Sequence, residues 1–151
     1  MIREINSNDY ARVSQIWHKE SVKFHGWMDN PSKFWGGERR KDFINEIKEE
    51  STSLKVVYVE DEHIIGFLTM RKNYILELFV DSKFQRKGIG TALLNLAKKQ
   101  SDFLTLKVYA KNPTSIKFYI DRDFIVTGLL LEQNTGFCKI LMEWKKKSNN
   151  Q

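Results

Sequence analysis

The run Leu76-Glu77-Leu78-Phe79-Val80-Asp81-Ser82-Lys83-Phe84-Gln85-Arg86-Lys87-Gly88-Ile89-Gly90-Thr91 decides how this chain is read. Apolar residues up to Val80 make a strand and a short basic loop follows. Ile89, Leu93, Leu96 and Ala97 then share one helical face, so a helix runs from Gly88 to about Gln100. Gly88 and Gly90 leave the backbone uncovered where that helix starts. Several N–H groups can there point at one anion, and the helix dipole adds about half a positive charge. Lys83, Arg86 and Lys87 stand beside this cradle and can reach further phosphates. A Walker A loop is absent, and the dinucleotide pattern G-x-G-x-x-G fails because Leu93 occupies its third glycine position. Taken alone, a G-x-G ahead of a helix also suits an ordinary tight turn.

Working outward, Ile2–Ile5 is a short strand, and Asn6-Ser7-Asn8-Asp9 is a helix-starting cluster. Val13, Ile16 and Trp17 recur at helical spacing, with Arg12, Lys19 and Glu20 read as lying off that stripe. His25 to Gly37 reads as a loop rich in large apolar groups, and 38–50 as a second helix. Leu54–Val59 and Ile64–Met70 form a hairpin, and Tyr74–Val80 extends it to a meander. Downstream come a strand at Phe103–Val108, a helix at Thr114–Asp121 opened by Pro113, and strands at Phe124–Leu131 and Phe137–Trp144. The order β-α-α-β-β-β-α-β-α-β-β predicts an α/β (α+β) fold: a single mixed, mostly antiparallel twisted sheet flanked by helices.

Bulk properties narrow the function. A chain of 151 residues suits one domain, here 1–145, followed by a polar basic tail at 146–151. With 25 Lys and Arg against 19 Asp and Glu the net charge is +6, which suits a polyanionic partner without naming it. The single Cys138 excludes an intrachain disulfide and a multi-cysteine metal site, and it points to a reducing compartment, the cytoplasm. Neither a membrane-spanning run nor a signal-peptide start is present, so no membrane partner is expected. His18, His25 and His63 show no metal-ligand spacing, so no metal is expected. Lys145-Lys146-Lys147 is read as a solvated terminal charge run, and a nucleic-acid partner is not expected.

Gln85-Arg86-Lys87-Gly88-Ile89-Gly90 resembles the [Gln/Arg]-x-x-Gly-x-[Gly/Ala] signature of the GNAT superfamily of acetyl-CoA-dependent N-acetyltransferases. A second stretch, Asn112-Pro113-Thr114-Ser115-Ile116-Lys117-Phe118-Tyr119 ending in Asp123-Phe124, is similar to the family's Asn and Phe-Tyr motif. Asp123 departs from the glycine usual there. The resemblance spans essentially the whole chain in element order and implies the GNAT fold. It also implies acetyl-CoA as cosubstrate, an amine-bearing small molecule or protein as partner, and a monomer or homodimer.

Residue by residue, the resemblance gives the pyrophosphate to the backbone N–H groups of Arg86, Gly88, Gly90 and Thr91, and counts Gln85, Lys87 and Ile89 of the same signature among the cofactor-binding residues. It gives the pantetheine arm to the backbone of Leu78, Phe79 and Val80, at a splay between that strand and Phe103–Val108, with Asn112 and Ser115 beside it. Asn112 equally suits a helix cap. Tyr119 would lie near the cofactor sulfur as general acid, although it also fits as a core aromatic beside Phe118.

The base is harder to place. Leu106-Lys107-Val108-Tyr109 lacks the glutamate that some members carry there. Glu77, a charge inside an apolar run, is the alternative, directly or through water, and its other reading is a solvated strand residue. For the acceptor, the resemblance points to the aromatic loop, with His25, Trp27 and Trp35 as substrate-binding candidates that also suit core or dimer contacts. The expected reaction is direct transfer of acetyl to a primary amine. The competing reading is a non-catalytic acyl-CoA-binding module.

Overall fold

The computed structural model describes residues 1–148, so positions 149–151 of the expected tail lie outside the described residues. The chain divides within α4 into two compact units, Met1–Leu96 and the part from Ala97 onward. Among the described residues no helix is long and apolar enough to cross a membrane.

The first unit holds β1 (Ile2–Glu4), α1 (Tyr10–Phe24), α2 (Pro31–Phe34), α3 (Glu38–Lys48), β2 (Leu54–Glu60), β3 (His63–Arg71), β4 (Tyr74–Val80) and, up to Leu96, α4 (Ile89–Lys99). The asparagine-rich start works as read. The Asn6 side-chain oxygen accepts the Asn8 N–H at 3.0 Å, and the Asp9 carboxylate accepts the Asn6 N–H at 2.9 Å, a reciprocal cap on the 3-10 turn Ser7–Asp9 that leads into α1. The four strands pair in chain order, all antiparallel. Asp61 and Glu62 both take positive φ, the twist that a two-residue hairpin requires.

β3 is the central constraint. Ile64 through Met70 are all buried, so both faces of that strand must be covered. On one face Val13, Ile16 and Trp17 of α1 and Phe43 and Ile47 of α3 pack on Val57, Ile64 and Phe67. On the other, Gly66 lies against α4: a Cβ there would sit 3.1 Å from the Phe79 carbonyl, 3.3 Å from Ile89 and 3.4 Å from Leu93. Only the missing side chain lets the helix come this close.

The second unit holds β5 (Phe103–Tyr109), α5 (Pro113–Ile120), β6 (Ile125–Leu131) and β7 (Cys138–Lys145). β7 pairs antiparallel with both β5 and β6. The Lys146 N–H still donates to the Asp102 carbonyl at 2.7 Å, so the tail starts as an extension of the sheet. The mixed α/β class, its mostly antiparallel strands and the element order are those expected. The segment read as a plain loop differs: Asn30 at φ 44° caps a one-turn helix, α2, with Pro31 at its first position.

Gly66→Ala is expected to lower unfolding stability by about 1–3 kcal/mol, because the nearest obstacle is a backbone carbonyl held in the ladder. Urea denaturation of the variant checks this. Unchanged stability would show that α4 can ride outward freely.

Candidate functional site

The β4–α4 junction presents backbone rather than side chain. After Val80 the chain makes a short 3-10 turn at Ser82–Phe84, and Gly88 then takes φ 78°, with nothing within 4 Å of a built Cβ. The Gly88 carbonyl accepts the first helical bond, from Ala92 at 2.9 Å. The N–H groups of Ile89 and Gly90 therefore fall in the first turn, where an α-helix offers them no internal acceptor. Lys83, Arg86, Lys87 and Gly88 are exposed while Ile89 is buried as the anchor. Open backbone, a helix start and three cations fit a diphosphate.

Behind the turn lies a charged network that the periodicity reading misplaced. Glu20, read as off the apolar stripe, is fully buried on it, at helical spacing from Val13, Ile16 and Trp17. Its carboxylate accepts the Ser82 N–H at 3.1 Å and the Gln85 amide at 3.4 Å, with the Lys19 ammonium 3.9 Å away. Asp81 accepts from Arg12 at 2.9 Å, Lys19 at 2.8 Å and the Lys83 N–H at 3.0 Å. Burial pushes the Asp81 carboxyl up, but the Lys19, Arg12 and Lys83 hydrogen bonds and the Lys19 charge outweigh it and hold it well below the usual carboxylate range. The Gln85 side chain also donates to the Val80 carbonyl at 3.0 Å, so it braces the turn from inside.

Glu77 stands beside a β-bulge. Thr69 opposes Glu77 but Met70 opposes Ile75, which leaves Leu76 as the extra residue. Register places Glu77, Thr69, Arg71 and Tyr74 on the face that carries Phe67 and Phe79. Thr69 is fully buried and its hydroxyl finds no hydrogen-bond partner among the described residues. Glu77 is half-buried rather than fully solvated. Burial pushes the Tyr74 phenol up, and the charges of Glu77 and Glu46 push it further, so Tyr74 stays protonated at neutral pH. Burial also raises the Glu46 carboxyl, against the charge of Arg71 and with that of Glu49. A carboxylate, a phenol and a buried hydroxyl thus converge next to Leu78. The bulge and the α3 packing behind this cluster left no sequence signal beyond the charge of Glu77 in an apolar run.

The aromatic segment is packed. His25 is buried, its Nδ1 lies 2.7 Å from the Ser21 carbonyl, and its ring stacks on Trp35 at 4.6 Å. Trp35 meets Trp17 edge-on at 5.7 Å, and Trp17 stacks on Phe43 at 4.8 Å. Trp27 stands edge-on to His25 at 6.0 Å and is half-buried. Within this segment the exposed polar positions are Asp29, Asn30, Ser32 and Lys33.

In the second unit, Asn112 caps α5, its side-chain carbonyl accepting the Ser115 N–H at 3.3 Å. Asp123 takes φ 72°, the left-handed conformation that glycine would take, so the departure from the family motif changes the residue and keeps the turn. The Phe124 N–H donates to the Tyr119 carbonyl at 3.0 Å and the Asp123 N–H to Ile120 at 3.1 Å. This helix end presses Phe124 edge-on to Tyr119 at 5.2 Å, while Phe118 flanks it at 5.1 Å. Tyr119 is buried and its ring direction is set by both neighbours.

The sequence pattern of the acetyltransferase (GNAT) domain matches residues 30–146, most of the chain. The chain belongs to the GNAT acetyltransferase family. It is similar to the peptidyl-lysine N-acetyltransferase YiaC of Escherichia coli, at 25% identity over 95% of this chain and 96% of that one. It is also similar to the peptidyl-lysine N-acetyltransferase YjaB of Salmonella typhimurium, at 25% identity over 84% of each. Among solved structures, the PaiA N-acetyltransferase of Thermoplasma acidophilum in complex with coenzyme A shares the fold, with TM-score 0.77 and 23% identity over 96% of this chain and 98% of that one.

The GNAT turn in this chain rests on Asp81, and the sign of its pH dependence follows. A carboxyl held below its unfolded value of about 3.9 contributes stability that is fully present above that value and is lost as pH falls toward the folded one. Asp81→Asn is expected to lose about 1.5–3 kcal/mol at pH 7, the range for hydrogen bonds to charged groups. Below about pH 4 its stability should fall less steeply than wild type, with Asp9, which the Arg3 hydrogen bond also holds low, contributing to the slope that remains. Denaturant melts across pH 2–7 measure both.

Proposed function

We propose that this GNAT domain is an acetyl-CoA-dependent N-acetyltransferase that transfers acetyl directly to a primary amine, a protein lysine first among candidates. The observation that carries the reading is the open turn at Arg86–Gly90, with Gly88 in positive φ at a helix start and cations beside it. The curated relatives named for peptidyl-lysine acetylation support the acceptor class. The lone Cys138, an exposed free thiol, suits a reducing cytoplasm.

In this reading the backbone of Arg86, Gly88, Gly90 and Thr91 binds the pyrophosphate, while Lys83, Arg86 and Lys87 neutralise phosphate charge. Gln85 acts from behind. Leu78, Phe79 and Val80 hold the pantetheine arm by strand-like hydrogen bonds. Bound acetyl-CoA supplies an acyl group already activated as a thioester.

The chain's own task is to manage two protons. A lysine amine near pKa 10.4 is mostly charged at pH 7, a penalty of about 4–5 kcal/mol against about 1 kcal/mol for an α-amino group. Glu77, directly or through water, takes the proton that the attacking nitrogen must lose. Tyr119 gives one to the sulfur as the C–N bond forms and the C–S bond breaks. His25, Trp27 and Trp35 shape the acceptor side as a rigid aromatic wall.

Tyr119→Phe is expected to lower kcat by about ten-fold or more with acetyl-CoA affinity nearly unchanged; an unaltered kcat would remove Tyr119 from the chemistry. Glu77→Gln should lower kcat by about 10–100-fold at pH 7, and the gap should narrow as pH approaches the amine's own pKa, where the nucleophile is already neutral. Coenzyme A release measured against lysine peptides, free N-terminal peptides and small amines tests the whole reading. Tight acetyl-CoA binding with no turnover of any amine would instead assign a non-catalytic acyl-CoA-binding module.

A further inference from the structure

We propose that Glu20 is a positioning residue for the donor turn: from the buried side of α1 it sets the backbone path through which the diphosphate of the donor is held. The inference rests on the acetyl-CoA reading above and adds a residue from outside the turn. Glu20 is fully buried, and a buried carboxylate is retained only where partners satisfy it. Its two oxygens take two donors from the segment leading into the phosphate turn, the Ser82 N–H at 3.1 Å and the Gln85 amide at 3.4 Å. Gln85 is in turn tied to the Val80 carbonyl at 3.0 Å. Glu20 therefore spans the end of β4 and the residue before Arg86, where φ swings to 69° and the turn begins.

Charge argues against an electrostatic role and for a geometric one. Placing Glu20 and Asp81 directly behind an anion seat would repel a diphosphate, and Arg12 and Lys19 offset them, leaving the four-residue network neutral. What remains is the hydrogen-bond pattern. Main-chain donors bind an anion well only when their directions are set in advance, because reordering a loop on binding subtracts from affinity. Lys19 joins the two carboxylates, 2.8 Å from Asp81 and 3.9 Å from Glu20, and α1 is fastened to β3 where the Arg12 guanidinium donates to the Ile64 carbonyl at 3.0 Å. The clamp is thus referenced to the sheet and not to another loop.

The sign of one substitution separates geometry from charge. Glu20→Gln keeps the volume, removes a negative charge from behind the anion seat, and turns one acceptor into an amide donor facing an N–H donor. If charge governed, coenzyme A would bind more tightly; if position governs, it binds more weakly. Calorimetric titration is expected to show at least a ten-fold rise in the coenzyme A Kd, and steady-state assays a matching rise in acetyl-CoA KM with kcat within two-fold. With S-acetylpantetheine, which lacks the diphosphate, kcat/KM should stay within two-fold of wild type. Tighter or unchanged coenzyme A binding overturns the proposal. So does an equal loss with both donors, or loss of a cooperative thermal transition, since either makes Glu20 a general fold residue. A wild-type protein that binds coenzyme A but acetylates no amine would defeat the functional reading, while the Kd comparison still decides the role of Glu20.

Discussion

Asp81 stands where β4 stops and the segment leading into the proposed phosphate turn begins, and the two cations of α1 that meet its carboxylate hold that segment in place. A strand end is mobile unless its outgoing chain is tied, because the backbone groups beyond the ladder have no fixed partners. Here Arg12 and Lys19 tie it from one side and the Lys83 N–H closes the turn from the other. The same helix face carries Glu20 to the next donors in line. The front of the turn, with Lys83, Arg86, Lys87 and exposed Gly88, thereby keeps its positive character while its rear is neutral and buried.

That arrangement is possible because β3 is covered on both faces. Gly66 lets α4 settle on one of them, and an aromatic chain runs across the other from Trp35 through Trp17, Phe43 and Phe67 to Phe79. Each such pair adds about 0.5–1.5 kcal/mol beyond the area it buries. The chain links the segment proposed to face the acceptor with the strand proposed to hold the donor. In the second unit, the left-handed Asp123 ends α5 so that Phe124 presses on Tyr119. A phenol proposed to deliver a proton to one atom needs that restraint.

Legibility followed periodicity. Strands and helices lay within one or two residues of their expected limits wherever apolar spacing was regular, and the Gly88 turn was visible because a glycine just ahead of a helical stripe marks a backbone position free to take positive φ. Glu20 was misread because hydropathy treats any carboxylate as outward-facing, whereas two donors 62 and 65 residues away make the interior tolerable for it. His25 and Trp35 showed their character as aromatics but not that they stack on one another. Asp123 broke the motif by residue type and kept it by conformation, since aspartate is among the few side chains that accept positive φ.

The sequence by itself determined the element order, the family and the glycine turn that opens α4, because each is written in local spacing and in residue types with narrow backbone preferences. Only the tertiary structure decided which charges are buried, which carboxylate stands behind the turn, and that Glu77 shares a face with Tyr74 and Thr69. Those facts depend on strand register, a bulge at Leu76 and hydrogen bonds between residues far apart in the chain, and no local pattern encodes such pairings.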